Sequence, residues 1–298
     1  MFIRQLTYLI ALDKFRHYSR AAEHCGVSQP ALSMAIRQLE DELGLPIVRR
    51  NRRVFGLTEE GQRVLVWARQ TVAALDGLRQ EASFSQAVAG GTLSVSVMPP
   101  ALQITPLLIE RLRAFIPSLR VEVSVAPNAK IIHDLKERRI QMGLVYLDQV
   151  PQTDVFETHE LYSEQHFFVT SEKVQASRRD AYDWSDVGKQ PLCLLGKEMR
   201  SRQIVDQCFK NIGVEPTVFL ETNSLELLYA ELLSGRSAGI LPLGALPTDR
   251  SRLNIMRMKQ CPAFGVGIVR LAQPVQTALM IKSWELACDL CLGDTLES

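Results

Sequence analysis

Residues 19–58 read SRAAEHCGVSQPALSMAIRQLEDELGLPIVRRNRRVFGLT. Ser19 suits the N-cap of a short helix running to Cys25, and Gly26 suits the turn that ends it. Ser28 suits the cap of a second helix, with Pro30 in the first turn, where a missing N–H costs little. Leu32, Ile36, Leu39 and Leu43 recur at i, i+4, i+7 and i+11 and predict one buried stripe. Pro30, Ser33, Met34 and Arg37 form a second face, small and partly polar, that can enter a groove. Gly44 ends the helix. Arg49, Arg50, Arg52 and Arg53 then fall within five residues, too dense for a core and well matched to phosphates. Two short helices, a tight turn and a basic hairpin predict a winged helix-turn-helix that reads DNA.

The remaining composition agrees with a local DNA contact and argues against a polyelectrolyte. The chain has 298 residues and a net charge of only +1, with 46% hydrophobic and 22% charged residues, an ordinary globular composition. Residues 1–90 hold twelve Lys or Arg against nine Asp or Glu, and the excess lies in the hairpin. Apolar runs stay well short of the roughly 18 residues of a membrane span. MFIRQLTYLIALDKF at the start is amphipathic and broken by charge, unlike a signal peptide, so a cytoplasmic location is expected, with reduced thiols.

Working outward, residues 6–15 predict a supporting helix through Leu6, Leu9, Ile10 and Leu12. Thr58 caps a long helix reaching about Gln86, with Glu59 and Glu60 in its first turn to match the macrodipole. Leu65, Ala68, Val72 and Leu75 step 3-4-3 along it, a heptad seam that predicts pairing with a second copy of the chain. Ala87–Gly91 (AVAGG) reads as a linker. Beyond it, strands and helices alternate. Strands are expected at 93–97, 121–125, 142–146, 166–170, 191–195, 218–221, 239–242 and 266–270. Helices are expected at 101–115, 128–139, 201–212, 224–234 and 274–291. That order predicts an α/β sheet with parallel strands.

The runs AAEHCGVSQPALS, LEDELG and LTEEG, in one register, resemble the N-terminal signature of the LysR-type transcriptional regulators, and the length and C-terminal pattern agree over the whole chain. The resemblance implies three parts: a winged helix-turn-helix over 1–58, a linker and dimerisation helix over 59–90, and an effector-binding domain over 91–298. The last would be a pair of α/β lobes like those of periplasmic binding proteins, lobe I over 91–163 and 267–298 and lobe II over 164–266. It further implies a dimer, commonly elaborated into a tetramer, on a pseudo-palindromic double-stranded DNA site, with a small-molecule effector between the lobes. Gln29, Pro30, Ser33 and Arg37 would lie at or near base edges and Ser19, Arg20, Arg50, Arg52 and Arg53 on the backbone, with Ser28 and Met34 also among the DNA contacts. Met34 and Ala35 stand where the family often has longer polar residues, which leaves thymine-methyl contact as one possibility.

Effector candidates follow from the rule that open α/β sheets bind ligands beyond the C-terminal ends of their strands. Pro99, Pro100 and Ala101 open a helix after one strand, and Asn128 opens another. The family often has a hydroxyl residue where the proline pair stands, so a simple carboxylate clamp is not expected in lobe I. Tyr146 ends the third strand at a position that resembles an effector contact in some family members. In lobe II, Met199, Arg200, Ser201 and Arg202 open a helix, with two arginines that make it the better anion site; Asn223 and Ser224 end the next strand similarly. Plain helix capping is the alternative role for Asn128, Ser201 and Ser224, and solvated surface charge for the two arginines.

Other chemistry has little support. Cys193 lies inside an apolar strand and Cys208 fifteen residues on; a thiol redox switch between them is the alternative mode of control. Cys288 and Cys291 form a CxxC without a second pair or nearby histidine, so no metal site is expected. Cys25 is expected in the core. The five histidines are dispersed, and neither HExxH, GxSxG nor a Walker loop occurs, so neither catalysis nor a cofactor is expected. A ligand-independent architectural DNA binder is a further alternative, and an enzyme carrying a regulatory DNA-binding domain another.

Overall fold

Three helices pack first: α1 (Ile3–Phe15), α2 (Tyr18–His24) and α3 (Gln29–Leu43). The paired small residues Ala21 and Ala22 are buried, so α2 meets its neighbours without bulky side chains intervening. Ser28 caps α3 by accepting from Ala31 N–H at 3.4 Å, and Gly44 ends it at φ 67°, a conformation glycine adopts without strain. Two expectations need correction. α2 begins at Tyr18 with His17 in the cap position, so Ser19 is an exposed helical residue, not a cap. The buried stripe stops at Leu39, and Leu43 is 39% exposed.

This computed structural model describes residues 2–49, 56–85, 91–174 and 181–290. Contacts divide the chain into two compact units, Met1–Ala87 and Val88–Ser298. In the first unit the base of the hairpin is anchored to α3: Glu40 Oε1 accepts from Ile47 N–H at 2.7 Å and Val48 N–H at 2.9 Å. Val48 bridges Leu57, and Arg49 N–H donates to Gly56 O at 2.9 Å. The predicted phosphate contacts Arg50, Arg52 and Arg53 lie outside the described residues.

α4 (Glu59–Ser85) starts as expected, with Thr58 Oγ1 accepting from Gly61 N–H at 2.8 Å. The same hydroxyl donates to Pro46 O at 2.6 Å. A Cβ on Gly61 would lie 2.1 Å from Ile47 O, so glycine permits the helix start to touch the hairpin. Arg69 of α4 donates to Asp13 of α1 at 2.6 Å, both side chains 5% exposed. Leu65 and Ala68 are buried in the core of this unit, with Val72 packed against it. Leu65 and Ala68 of the expected pairing stripe are therefore taken up by the core of their own chain, while Leu75 is half-buried outside that cluster.

The second unit runs β1 (Thr92–Val97), a 3-10 turn (Pro99–Ile104), α5 (Thr105–Phe115), β2 (Arg120–Val125), α6 (Asn128–Lys136), β3 (Met142–Tyr146), β4 (Phe156–Glu164) and β5 (His166–Ser171). It continues through β6 (Ala181–Tyr182), α7 (Trp184–Val187), β7 (Leu192–Leu195), α8 (Arg200–Asn211), β8 (Val218–Thr222), α9 (Leu225–Ser234) and β9 (Ala238–Pro242). A 3-10 turn (Leu243–Ala245), β10 (Leu253–Met258), β11 (Phe264–Leu271) and α10 (Ala278–Cys288) complete it. One sheet has the order β2-β1-β3-β11-β4 and the other β6-β10-β5-β9-β7-β8. Each forms one lobe, and the chain crosses between them at Gln165 and again at residues 259–263.

The sheets are mixed, not parallel throughout. β11 runs antiparallel to β3 and β4, and β5 antiparallel to β9 and β10. β4, β6, α7 and β10 escaped the sequence reading. β4 (FETHELYSE) has one mainly exposed half, so its polar residues mask the strand, and β10 (LNIMRM) lacks clean alternation. The helix expected from residue 101 starts at Thr105, because Pro99 and Pro100 open a 3-10 turn first.

Gly61→Ala should destabilise the first unit by on the order of 1–3 kcal/mol through the clash with Ile47 O. Urea unfolding followed by circular dichroism of the full chain measures it; an unchanged first transition would mean that the hairpin moves aside freely.

Candidate functional site

The described DNA-contact candidates of the first unit are exposed or half-buried. Ser28, Gln29, Pro30, Met34 and Arg37 on or beside α3 are exposed and Ser33 is half-buried, while Ser19 and Arg20 are exposed on α2. Met34 is 60% exposed, an apolar side chain on the face opposite the buried Leu32–Ile36–Leu39 stripe. That leaves the outer face of α3 exposed to solvent, as an element that reads a major groove requires.

The second candidate lies between the two lobes, at the C-terminal edge of β3 and the start of α8. Tyr146 is 1% exposed, and its hydroxyl has no hydrogen-bond partner among the described residues. Its carbonyl accepts from Asn128 Nδ2 at 3.2 Å, so Asn128 holds the end of β3. In the other lobe, Ser201 is 1% exposed and its Oγ is likewise unpartnered among the described residues. Asp148, two residues after Tyr146, binds Arg200, one residue before Ser201: Nε and Nη2 donate to Oδ2 at 3.0 and 2.6 Å. Arg200 also lies over the Phe264 ring at 5.0 Å. The lobes therefore meet with two unsatisfied hydroxyls near one ion pair. Unmade hydrogen bonds in buried groups are costly and call for an explanation, a bound molecule among them.

Behind these hydroxyls sits a cluster of buried ionisable groups. Glu164, which ends β4, is 0% exposed and accepts from Gly244 N–H at 3.1 Å and Tyr162 O–H at 3.0 Å. Burial pushes its carboxyl up to about 8, against the pull of those donors. A Cβ on Gly244 would lie 2.3 Å from the Tyr162 hydroxyl and 3.0 Å from Pro100 O, so glycine is what lets the Leu243–Ala245 turn seat on the other lobe. His166, the first residue of β5, is held by burial down to about 4. Its Nε2 lies 3.1 Å from Ser201 O; a carbonyl only accepts, so Nε2 carries the proton. Nδ1 faces Cys261 Sγ at 3.9 Å. The hydroxyls of Tyr146 and Tyr162 and the Cys261 thiol are all pushed up by burial.

Several expected effector contacts have other work. Arg202 is 4% exposed and bonds Leu195 O at 2.7 Å, Glu221 at 2.9 Å and Asp206 at 2.7 Å, so it fixes α8 to β7 and β8 and is no anion anchor. Arg200 is committed to Asp148. Ala101 is 0% exposed and Met199 7%, both core residues. Pro100 is buried and Pro99 half-buried in the turn that meets Leu243–Ala245. Ser224 caps α9, accepting from Leu227 N–H at 3.2 Å, and Asn223 is exposed beside it. Of the expected set, Tyr146 and Ser201 keep unused hydroxyls. Sequence reasoning missed Asp148, Glu164, Cys261 and Gly244, and gave His166 no role. The polar run Ser163-Glu164-Gln165-His166 where one lobe passes to the other was the available signal.

The thiols offer little reactivity. Cys193 is 0% and Cys208 7% exposed, and burial raises both to about 11, away from the thiolate that oxidation requires. Cys25 is half-buried against the helical core. Cys291 lies outside the described residues, and no metal-holding cluster occurs among the described ones. No described helix is long and apolar enough to cross a membrane.

Comparison with known proteins agrees with this division. Residues 3–62 match the family described as bacterial regulatory helix-turn-helix protein, lysR family, and residues 86–287 match the LysR substrate binding domain. The DNA-binding transcriptional dual regulator OxyR of Escherichia coli is 30% identical over 275 residues, 90% of this chain and 89% of that protein. The hydrogen peroxide-inducible genes activator of Haemophilus influenzae is 28% identical, covering 86% of this chain and 84% of that one. Among solved structures, a full-length OxyR variant from Pseudomonas aeruginosa superposes with a TM-score of 0.73 at 22% identity, covering 98% and 95% of the two chains. Full-length CbnR complexed with its target DNA gives 0.67 at 20%, covering 96% and 99%. With its helix-turn-helix and two-lobed effector-binding domain, this chain belongs to the LysR family of DNA-binding transcriptional regulators.

Proposed function

We propose that the chain binds a pseudo-palindromic operator through α3 as a dimer, and that a small molecule held by Tyr146 and Ser201 between the lobes controls it. The single observation that carries the control site is the pair of buried, unpartnered hydroxyls flanking the Asp148–Arg200 bridge. A ligand there contacts both lobes at once, so its affinity differs between lobe arrangements, which is the condition for shifting a conformational equilibrium. The protein acts in the cytoplasm, where its DNA is, by binding and not by turnover.

Gln29, Pro30, Ser33, Met34 and Arg37 read base edges, with Met34 against a thymine methyl. Ser19 and Arg20 hold the backbone from α2, Ser28 from the start of α3, and Arg50, Arg52 and Arg53 from the hairpin. Pairing uses the outer face of α4. Trp67, Thr71, Ala74 and Leu78 step 4-3-4 along it and are exposed, Trp67 at 68% and Leu78 at 66%. That spacing is a heptad seam, displaced from the Leu65–Ala68 stripe that the core uses. Leu75 is half-buried and borders it.

The kinship with hydrogen peroxide-inducible activators makes thiol sensing the second reading. Deep burial of Cys193 and Cys208 weighs against it, and the start of α8, where a helix dipole favours a thiolate, carries Met199.

Arg20→Ala should weaken binding to all DNA sequences alike and lower the salt slope by about one; an unchanged slope in anisotropy titrations would remove α2 from the backbone contacts. Leu78→Glu should give a folded monomer in sedimentation, whereas Leu65→Glu should unfold the first unit; a dimer surviving Leu78→Glu would move the seam. The cleft predicts a pH signature. His166, neutral when folded, adds stability as pH rises from about 4 to its unfolded value of about 6.5. Glu164, neutral when folded, loses stability as pH rises from its unfolded value of about 4.5 to about 8. The two oppose each other below pH 6.5. Between about 6.5 and 8 Glu164 acts alone, and stability of the second unit should fall by up to about 1.4 kcal/mol per pH unit. Glu164→Gln should flatten that limb; a limb that persists would assign it to another group.

A further inference from the structure

The effector-site reading above leaves the chemical class of the ligand open, and the charges around the two hydroxyls narrow it. The permanent cations at the start of α8 are both neutralised. Arg200 makes its two-donor contact with Asp148, and Arg202 sits between Asp206 and Glu221. The buried ionisable groups behind the hydroxyls are driven to their uncharged forms: Glu164 and the two tyrosines upward, His166 downward, and the Cys261 thiol upward. An anion entering here would have to draw Arg200 away from Asp148 and leave that carboxylate uncompensated. A cation would find Asp148 already engaged.

Available hydrogen-bonding capacity is of the opposite kind. Tyr146 O–H and Ser201 O–H each donate and accept without carrying charge. The first N–H groups of α8, a helix of 12 residues, have no intrahelical acceptor and favour an oxygen acceptor before them. The carbonyl of Ser201 is already taken by His166, which fixes the peptide that carries the open hydroxyl.

We propose that the cleft at Tyr146 and Ser201 takes an uncharged molecule bearing a carbonyl or hydroxyl oxygen, an amide or alcohol and not a carboxylate. Its oxygen accepts from the start of α8 and from Ser201, and its remaining polar group meets Tyr146. The Asp148–Arg200 bridge acts as the charge filter there, because it occupies the Arg200 guanidinium that would otherwise recruit an acid.

The experiment titrates full-length protein with two matched pairs, acetamide against acetate and benzamide against benzoate. Binding is read from NMR shifts of Tyr146 and Ser201 and from crystals soaked in the same compounds. The amides should bind there, and Tyr146→Phe and Ser201→Ala should each weaken them roughly five- to tenfold, the loss expected for one neutral hydrogen bond. The acids should bind only after Asp148→Asn frees Arg200, a gain that no merely misfolded variant produces. Acids binding the wild-type cleft as well as the amides do would overturn the ligand class while leaving the effector site in place. If none of the four compounds binds at Tyr146 and Ser201, both the class and the effector reading fall, and an ordered water joining the hydroxyls would then account for them.

Discussion

The second unit depends on one buried carboxyl. Glu164 stands at the last residue of β4, where the chain leaves one lobe for the other, and it gathers the Tyr162 hydroxyl from its own lobe and the Gly244 amide from the second. Fully out of water and without a cationic partner among the described residues, it is favoured as the neutral acid. That choice fits its surroundings. His166, two residues on, is also held neutral, and its ring joins Ser201 O to the Cys261 thiol. The joint between the lobes thus sets a polar, uncharged cluster beside the Asp148–Arg200 bridge, and the cluster's hydrogen bonds are directional enough to set the lobes' geometry.

The first unit rests on the opposite device. Asp13 and Arg69 form a buried ion pair that ties α1 to α4, and Thr58 and Gly61 lock the helix start to the hairpin. Removing one partner of such a pair is costly, because the other charge stays buried. The long helix therefore enters the DNA-binding unit as part of its core, which explains why Leu65 and Ala68 are spent there while Val66, Trp67 and Leu78 stay exposed.

Much of the fold was legible because local rules agreed with one another. Ser28, Pro30 and Gly44 bracket α3, Thr58 caps α4, and the apolar clusters from β1 to β11 mark most strands. The errors have physical causes. The Leu65–Val72 stripe has the right period for a seam, but period alone cannot say whether the partner is a second chain or the core of the same one. β4 was hidden by polar residues on a strand whose partner, β11, lies a hundred residues away. Arg200 and Arg202 looked like anion ligands because their acidic partners Asp148 and Glu221 come from other elements. Tyr146 and Ser201 were legible as strand-end and helix-start positions. That their hydroxyls are left unused depends on what the other side chains bond to, and no sequence pattern encodes it.

Control by an effector requires that its site and the DNA-binding unit be coupled, and coupling is reciprocal: a ligand between the lobes alters DNA affinity only if DNA alters that site. Hydrogen exchange of the full chain, with and without an operator obtained by in vitro selection, measures this before any effector is known. Altered exchange is expected at residues 146–148, 164–166, 199–202 and 243–245, in addition to α2 and α3. Changes confined to residues 2–85 would contradict the coupling.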